Sequence, residues 1–165
     1  MNKFLFIMLL FCASKAGAQD GPTAGSALRS LSGVDMISGK LIDVVFREAK
    51  EYTLFHFWKS ESDSCVKEFS ALVALIKQYE KKITVYGFPY EYKQQIPAAK
   101  AMTAKHKLNW SHLLQYRQTN PEGANVIDVL KITEFPTYML LDKEGLILVR
   151  SGALDDVAVV LKRLE

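Results

Sequence analysis

Two cysteines and three histidines are the residues whose types could support redox or metal chemistry: Cys12, Cys65, His56, His106 and His112. Cys12 lies inside an apolar N-terminal run, so Cys65 is predicted to be the only thiol of the processed chain. A lone thiol cannot close an internal disulfide, but it can form mixed disulfides, glutathione-type adducts or a sulfenic acid. Alternatively, a free cysteine on an apolar helix face behaves as a small hydrophobic residue. The exposure and the pKa of the thiol decide between these interpretations.

The histidines could join Cys65 in a metal site, but their number and spacing argue against one. His106 and His112 are six residues apart near a predicted loop, and His56 lies within an apolar stretch. A site for a soft metal needs more thiolate and imidazole ligands than this chain places close together. We therefore predict no metal and no cofactor.

The elements around Cys65 form a predicted β–α–β unit. Residues 52–58 are dense in aromatic and β-branched types, which is typical of a buried strand. From Cys65 to Tyr79 apolar residues recur at helical spacing, and residues 83–88 again favour a strand. A right-handed crossover makes the two strands parallel. Cys65 is then expected on the apolar face at the start of the helix.

The rest of the chain completes an α/β pattern. Further helices are predicted over residues 93–107 and 124–132, and a hairpin over residues 137–150. A last helix, for which Asp155 or Asp156 is the predicted N-cap, ends at Leu164. This order predicts a central mixed sheet with helices on both faces.

The N-terminus carries a predicted export signal. Lys3 supplies a positive start, residues 4–13 are apolar, and residues 16–18 form a small-x-small cleavage site. Lipidation of Cys12 is a competing interpretation, but a lipoprotein site requires a small residue where Phe11 stands. We therefore predict cleavage and a periplasmic or extracellular location.

Three regions follow from this interpretation: a signal peptide over residues 1–18, a flexible leader over residues 19–32, and one domain over residues 33–165. The leader is rich in Gly, Ser, Ala and Thr. The whole chain has 165 residues, 49% of them hydrophobic and 24% charged, which suits one domain with one core.

Charge and hydropathy exclude two classes of partner. Two of the 21 basic residues, Lys3 and Lys15, belong to the predicted signal, which contains no acidic residue, so 19 basic and 18 acidic residues remain. A nearly neutral chain without a basic stripe gives no electrostatic support for a nucleic-acid partner. No apolar run after the signal is long enough to span a membrane.

Residues 57–69 resemble the active-site segment of thioredoxin-like proteins of the TlpA/ResA type, which reads Phe-Trp-x-x-Trp-Cys-x-x-Cys followed by a basic residue, Glu and an apolar residue. Phe57-Trp58, Cys65 and Lys67-Glu68-Phe69 match this pattern. Glu61 replaces the second Trp, and Ser62 replaces the first Cys. The resemblance implies that Ser62 is a degenerate nucleophile position.

Serine cannot perform the first step of dithiol chemistry. In a working motif the first thiolate, stabilised by the helix N-terminus, attacks a disulfide, and the second thiol resolves the mixed disulfide. An alkoxide is far too basic for this role, and oxygen forms no exchangeable disulfide. Ser62 is instead predicted to be the N-cap of the helix, with its hydroxyl accepting a bond from the N–H of Cys65.

A second segment, residues 132–145, resembles the family's stretch around its cis-proline. The resemblance implies a cis peptide bond before Pro136 and a loop whose backbone receives an extended peptide as an added strand. The implied binding residues are Trp58, Phe135, Pro136 and Thr137. An ordinary trans proline at the start of an edge strand is the alternative.

The segment from Ser62 to Glu68 also resembles the Thr/Ser-x-x-Cys-x-x-Glu motif of peroxiredoxins, in which the cysteine attacks peroxide. That family places a proline seven residues before the cysteine, where this chain has Trp58. Its members also lack the cis-proline that Pro136 is predicted to supply. The context of the motif therefore favours the TlpA/ResA resemblance.

Together these features predict an exported α/β protein of the thioredoxin-like fold that has lost dithiol reductase activity. It would bind a protein or peptide client in the cis-proline groove, and a partner oxidoreductase is one such client. The alternative is a single-thiol redox enzyme that uses Cys65 for mixed-disulfide or peroxide chemistry. A buried thiol favours binding, and an exposed thiol favours redox chemistry.

Overall fold

The structure, a computed structural model, describes residues 21–117 and 125–165. The predicted signal peptide, Cys12 and Gln19 lie outside these residues. The strands are β1 Leu31–Val34, β2 Leu41–Val44, β3 Tyr52–Trp58, β4 Ile83–Glu91, β5 Ser111–His112, β6 Gln115–Tyr116, β7 Thr137–Leu141 and β8 Ile147–Ser151. The α-helices are α1 Asp63–Gln78, α2 Ile96–His106, α3 Val126–Val129 and α4 Leu154–Arg163, and Phe46–Glu48 and Lys93–Gln95 are 3-10 turns.

The central sheet is mixed and has the order β5-β4-β3-β7-β8, with β6 also paired to β4. β3 and β4 are parallel, while β7 is antiparallel to both β3 and β8. This confirms the predicted α/β class and the thioredoxin-like arrangement of the sheet. β1 and β2 form a separate antiparallel hairpin.

β3 separates two layers of the core because its side chains alternate between the two faces of the sheet. Leu54 packs with residues of α1 and α4, and Trp58 packs with Cys65 and Phe69 of α1. Phe55 and Phe57 pack on the opposite face against α3 and the β2 region. The start of α1 therefore lies against the end of a fully buried strand.

The helical spacing seen in the sequence corresponds to the buried face of α1. Cys65, Phe69, Leu72 and Leu75 are the buried residues of this helix. Each is three or four positions from the next, so they lie on one stripe that faces the sheet. The predicted position of Cys65 at the start of the apolar face is thus confirmed.

The predicted elements differ from the structure where a strand or helix is very short. β5 and β6 have two residues each, too few for a periodic pattern, and α3 is a single turn within residues 124–132. β4 continues beyond residue 88 to Glu91, because β6 pairs with its last two residues.

The predicted N-cap of the last helix is wrong. α4 begins after Ala153, and neither Asp155 nor Asp156 is the N-cap. Ser151 explains the difference: its Oγ accepts a bond from the N–H of Ala153 at 3.0 Å and donates to Asp156 at 2.5 Å. The hydroxyl thereby satisfies an N–H at the helix start, which is the task predicted for the carboxylates.

Residues 21–32, assigned to the predicted flexible leader, make ordered contacts with the domain. The N–H groups of Gly25 and Leu28 donate to the carbonyls of Ile147 and Gly145 at 2.9 and 2.8 Å, and β1 already begins at Leu31. Arg150 donates to the carbonyl of Pro22 at 2.8 Å. Backbone pairing of this kind is independent of the Gly- and Ser-rich composition that predicts flexibility.

Candidate functional site

The ends of β3 and β7 bring the two sequence motifs together. The strands are antiparallel and Phe57 pairs with Thr137, so the end of β3 lies beside the start of β7. The hydroxyl of Ser64, in the first turn of α1, donates a hydrogen bond of 3.0 Å to the carbonyl oxygen of Phe135. The start of α1 and the Phe135–Pro136 loop are therefore in direct contact.

Cys65 is a core residue with 0% of its surface exposed. It packs with Trp58 and Phe69 in a buried cluster. Burial raises the pKa of the thiol and the charge of Glu68 adds to this, while the hydroxyl of Ser62 and the backbone of Lys59 act in the opposite direction. The thiol is thus inaccessible and disfavoured as a thiolate, which are the two properties opposite to those of a reactive cysteine.

Ser62 precedes α1 as its N-cap residue, but the predicted bond from the N–H of Cys65 to its hydroxyl is absent. The Ser62 hydroxyl instead lies 2.7 Å from that of Ser64. Because the Ser64 proton is used for the Phe135 carbonyl, Ser62 must be the donor in this contact. The Ser62 hydroxyl is therefore directed towards Ser64, and it accepts no bond from the N–H of Cys65.

The Phe135–Pro136 peptide bond is cis. Thr137 is fully buried, and its hydroxyl donates to the carbonyl of Glu134 at 2.7 Å, which holds the loop from inside. Gly152 flanks the loop: a Cβ built on it would lie 3.5 Å from the Pro136 carbonyl oxygen, an ordinary contact distance.

Trp58 and Thr137 both have 0% exposure, whereas Phe135 is half-buried. Pro136 is buried as well, so three of the four predicted binding residues support the site from the core. Phe135 is the member whose side chain reaches the surface.

An aromatic and cationic cluster that sequence reasoning missed covers the outer side of the loop. The ring of Phe135 stacks on that of Tyr90, with centroids 5.7 Å apart and an angle of 7° between the planes. The Nζ of Lys59 lies 4.1 Å from the centre of the Phe135 ring and 5.6 Å from that of Tyr90. These residues are far apart in sequence, and no motif or periodicity connects them.

Glu61, which stands where the family has its second Trp, is held by an ion pair with Arg117 and a 2.6 Å bond from Gln95. The bond from Arg117 lowers the pKa of Glu61. Arg117 also lies over the ring of Tyr92, 4.3 Å from its centre. The loop between β3 and α1 is thus tied to the segment that follows β6.

Glu91 holds the loop between β3 and α1 from the core side. It is 0% exposed and accepts bonds from the N–H and the hydroxyl of Ser60 at 2.5 and 3.0 Å. Burial raises the pKa of Glu91, while the two bonds from Ser60 act in the opposite direction. The sequence offered no signal for this role, since Glu91 stands alone at the end of an apolar run.

The histidines lie in or beside the core. His56 is sandwiched between Trp58 and Tyr138, with ring centroids at 6.2 and 5.2 Å. The Nε2 of His112 lies 3.1 Å from the carbonyl of Leu108, and burial lowers the pKa of His112 to about 4. The ring of His106 lies 5.2 Å from that of Phe69. Within residues 21–117 and 125–165 no group of three or more His, Cys, Asp or Glu is arranged to hold a metal ion.

The described residues contain no helix that is long and apolar enough to cross a membrane. No curated protein matches the chain. Residues 42–165 match the family described as thioredoxin-like domain.

Solved structures agree with that assignment. The thioredoxin domain of a thiol-disulfide oxidoreductase from Bacteroides vulgatus is 25% identical, with a TM-score of 0.70 over 87% of this chain and 98% of that one. A thiol:disulfide interchange protein from Bacteroides sp. is 24% identical, with a TM-score of 0.69 over 85% and 88% of the two chains. A secreted disulfide oxidoreductase of Mycobacterium tuberculosis, 13% identical, shares the fold with a TM-score of 0.65 over 81% and 95%. The chain therefore belongs to the thioredoxin-like domain family and has the fold of its thiol-disulfide oxidoreductases, as the two sequence motifs predicted.

Proposed function

We propose that this protein is an exported thioredoxin-like protein that lacks dithiol reductase activity and binds a protein or peptide at the Phe135–Pro136 loop. The observation that carries the proposal is the complete burial of Cys65 behind an N-cap serine. Disulfide exchange requires an accessible thiolate. In this site the accessible position holds an oxygen, and the thiol is in the core.

The loop retains what peptide binding needs. Its backbone edge can pair with an extended chain. The main-chain hydrogen bonds would give affinity without a thiol. Within the described residues the N–H of Phe135 has no acceptor, whereas its carbonyl is bonded to Ser64. This N–H would donate a hydrogen bond to a backbone carbonyl group of the ligand.

Export rests on the N-terminal sequence, namely the charged start, the apolar run and the small residues at 16 and 18. It agrees with the secreted state of the M. tuberculosis relative. Mass spectrometry of the processed protein is expected to give an N-terminus at Gln19. An intact Met1, or a lipid on Cys12, would contradict this part of the proposal.

Two variants distinguish peptide binding from thiol chemistry. The binding of each variant to fluorescent pools of degenerate octapeptides is measured. Cys65→Ala is expected to retain binding, because the thiol is buried and contributes as a small hydrophobic group. Gly152→Val is expected to weaken binding at least tenfold, because it adds bulk beside the Pro136 carbonyl while its Cβ is sterically tolerated. Ala71→Val, at an exposed position of α1, is the control for added bulk.

The opposite pattern would replace the proposal. If Cys65→Ala abolishes capture of the peptides and Gly152→Val leaves it intact, the protein acts as a single-thiol redox enzyme. A native thiol that reacts rapidly with a thiol reagent at neutral pH would also favour the redox enzyme over the binding protein.

A further inference from the structure

Lys59 is a cation at the edge of the proposed binding loop that has no carboxylate partner among the described residues. Its side chain is half-buried, and its ammonium group lies over the rings of Phe135 and Tyr90. The ion pair found among residues 21–117 and 125–165 joins Arg117 to Glu61 and does not include Lys59. A partly desolvated ammonium group is stabilised by the ring faces, but these do not neutralise its charge.

The charges that act on Lys59 come from groups that form no ion pair with it among the described residues. They come from Arg117, Glu61, Cys65 and Glu91. Arg117 and Glu61 are bonded to each other and cancel. Glu91 is bonded to the two donors of Ser60 in the core, and Cys65 is a buried thiol, so neither forms an ion pair with Lys59. Within residues 21–117 and 125–165, the ammonium group of Lys59 is therefore left without an ion-pair partner beside the loop.

The hydrogen-bonding groups of Phe135 favour an acceptor in the ligand. The carbonyl of Phe135 is occupied by Ser64, while its N–H has no acceptor in the described part of the chain. Beside it, the ammonium group of Lys59 has three donors and no acceptor. The edge therefore presents donors and positive charge, which complement a ligand rich in acceptors and negative charge.

We propose that the ligand of the Phe135–Pro136 loop is an extended peptide that places an Asp or Glu side chain against Lys59. This inference rests on the proposed binding function and names the chemistry of the ligand. A backbone carbonyl of the peptide bonds to the N–H of Phe135, and the carboxylate pairs with the ammonium group over the Phe135 ring. Such a charge-assisted bond is stronger than one between neutral groups.

The test uses octapeptide pools that are acetylated and amidated, so that charge comes from one fixed position only. That position holds Glu, Gln or Lys in different pools and is moved along the peptide, and the other positions are degenerate over uncharged residues only. At one position the Glu pool is expected to bind about tenfold more tightly than the Gln pool. This preference is expected to shrink as salt is raised from about 0.05 to 0.5 M, because partly exposed ion pairs are screened.

Variants test whether Lys59 causes the preference for Glu over Gln. Lys59→Gln is expected to abolish it, and Lys59→Arg, which retains the charge, is expected to preserve it. Lys67→Gln is the matched control, because it removes an exposed lysine of α1 at the same cost in net charge. If Lys67→Gln reduces the preference as much as Lys59→Gln does, the effect is one of net charge and the inference fails.

The outcomes distinguish this inference from the function on which it rests. If the pools bind but Glu is not preferred over Gln, or Lys is preferred, the inference is overturned and the binding function stands. If no pool binds the wild type, the binding function and this inference both fail.

Discussion

His56 lies at the centre of the sheet, and its ring nitrogens are expected to weaken the fold. The residue is 0% exposed, and neither nitrogen has a hydrogen-bond partner among the described residues. A buried polar group without a partner costs about 1–3 kcal/mol. Phenylalanine preserves a flat ring between Trp58 and Tyr138 and removes both nitrogens. We therefore expect His56→Phe to raise the free energy of unfolding at pH 7 by about 1–2 kcal/mol.

The advantage of His56→Phe is expected to grow in acid. Burial lowers the pKa of His56 well below its ordinary value, and the nearby His112 adds to this. The unfolded chain therefore binds more protons than the folded chain once the pH falls below about 6.5. Each such histidine makes the folded state lose about 1.4 kcal/mol per pH unit from there down to its folded pKa.

The free energies of unfolding of the wild type and of His56→Phe are expected to change with pH at different rates. Since burial lowers the pKa of His112 to about 4, two histidines oppose folding of the wild type between pH 6 and 5, and one opposes folding of His56→Phe. The raised pKa of Glu91 acts in the opposite direction, but equally in both proteins, so it cancels in the difference. The gap in unfolding free energy should therefore widen by about 1.4 kcal/mol per pH unit.

The assay is urea denaturation at pH 8, 7, 6 and 5. His106→Phe, at a half-buried ring, controls for the greater hydrophobicity of phenylalanine. If His56→Phe is less stable than wild type at pH 7 and the gap does not widen in acid, the reasoning is refuted. The nitrogens of His56 would then have bonding partners in solution that favour the folded state.

Three further substitutions test the site and its support. Ser62→Cys is expected to create measurable disulfide exchange in an insulin-reduction assay where the wild type has none, because a thiol then stands at the helix start; wild-type activity would contradict the motif assignment. Glu91→Ala is expected to lower the free energy of unfolding by about 2 kcal/mol, since two donors of Ser60 lose their acceptor; an unchanged urea midpoint would argue against that role. Gly87→Ala is expected to lower the free energy of unfolding by about 1–3 kcal/mol, because its Cβ would lie 2.2 Å from Nδ1 of His112. In a double-mutant cycle, His112→Ala should recover part of this loss.

Periodic patterns explain which elements could be predicted from the sequence. The bounds of β3 and β7 follow from dense aromatic and β-branched residues, and the buried face of α1 follows from its helical spacing. Both signals are local, because they depend on which side chains a single element must bury. The two-residue strands β5 and β6 have no such signal, since their pairing with β4 is decided by tertiary contacts.

The candidate site was predictable only where a motif carries it. Ser62, Cys65 and Pro136 stand in two recognisable motifs, and the sequence order alone indicated that they belong together. The contact of Lys59 with Phe135 joins residues 76 positions apart, neither of which has an unusual local pattern. The same holds for Glu91 and Ser60. Glutamate is usually a surface residue, but here its buried carboxylate accepts a bond from Ser60 and holds the loop.

The contacts of the Phe135–Pro136 loop favour a preformed binding edge. The backbone carbonyl of Phe135 is held by Ser64, and its ring stacks on Tyr90 and contacts the ammonium group of Lys59. The hydroxyl of Thr137 holds the loop from inside. A segment that is already ordered loses little conformational entropy when a ligand binds, so more of the interaction energy contributes to affinity. A redox enzyme gains little from this arrangement while its thiol is buried, whereas a binding protein gains affinity from it directly. The order of the loop and the burial of Cys65 therefore support the same function.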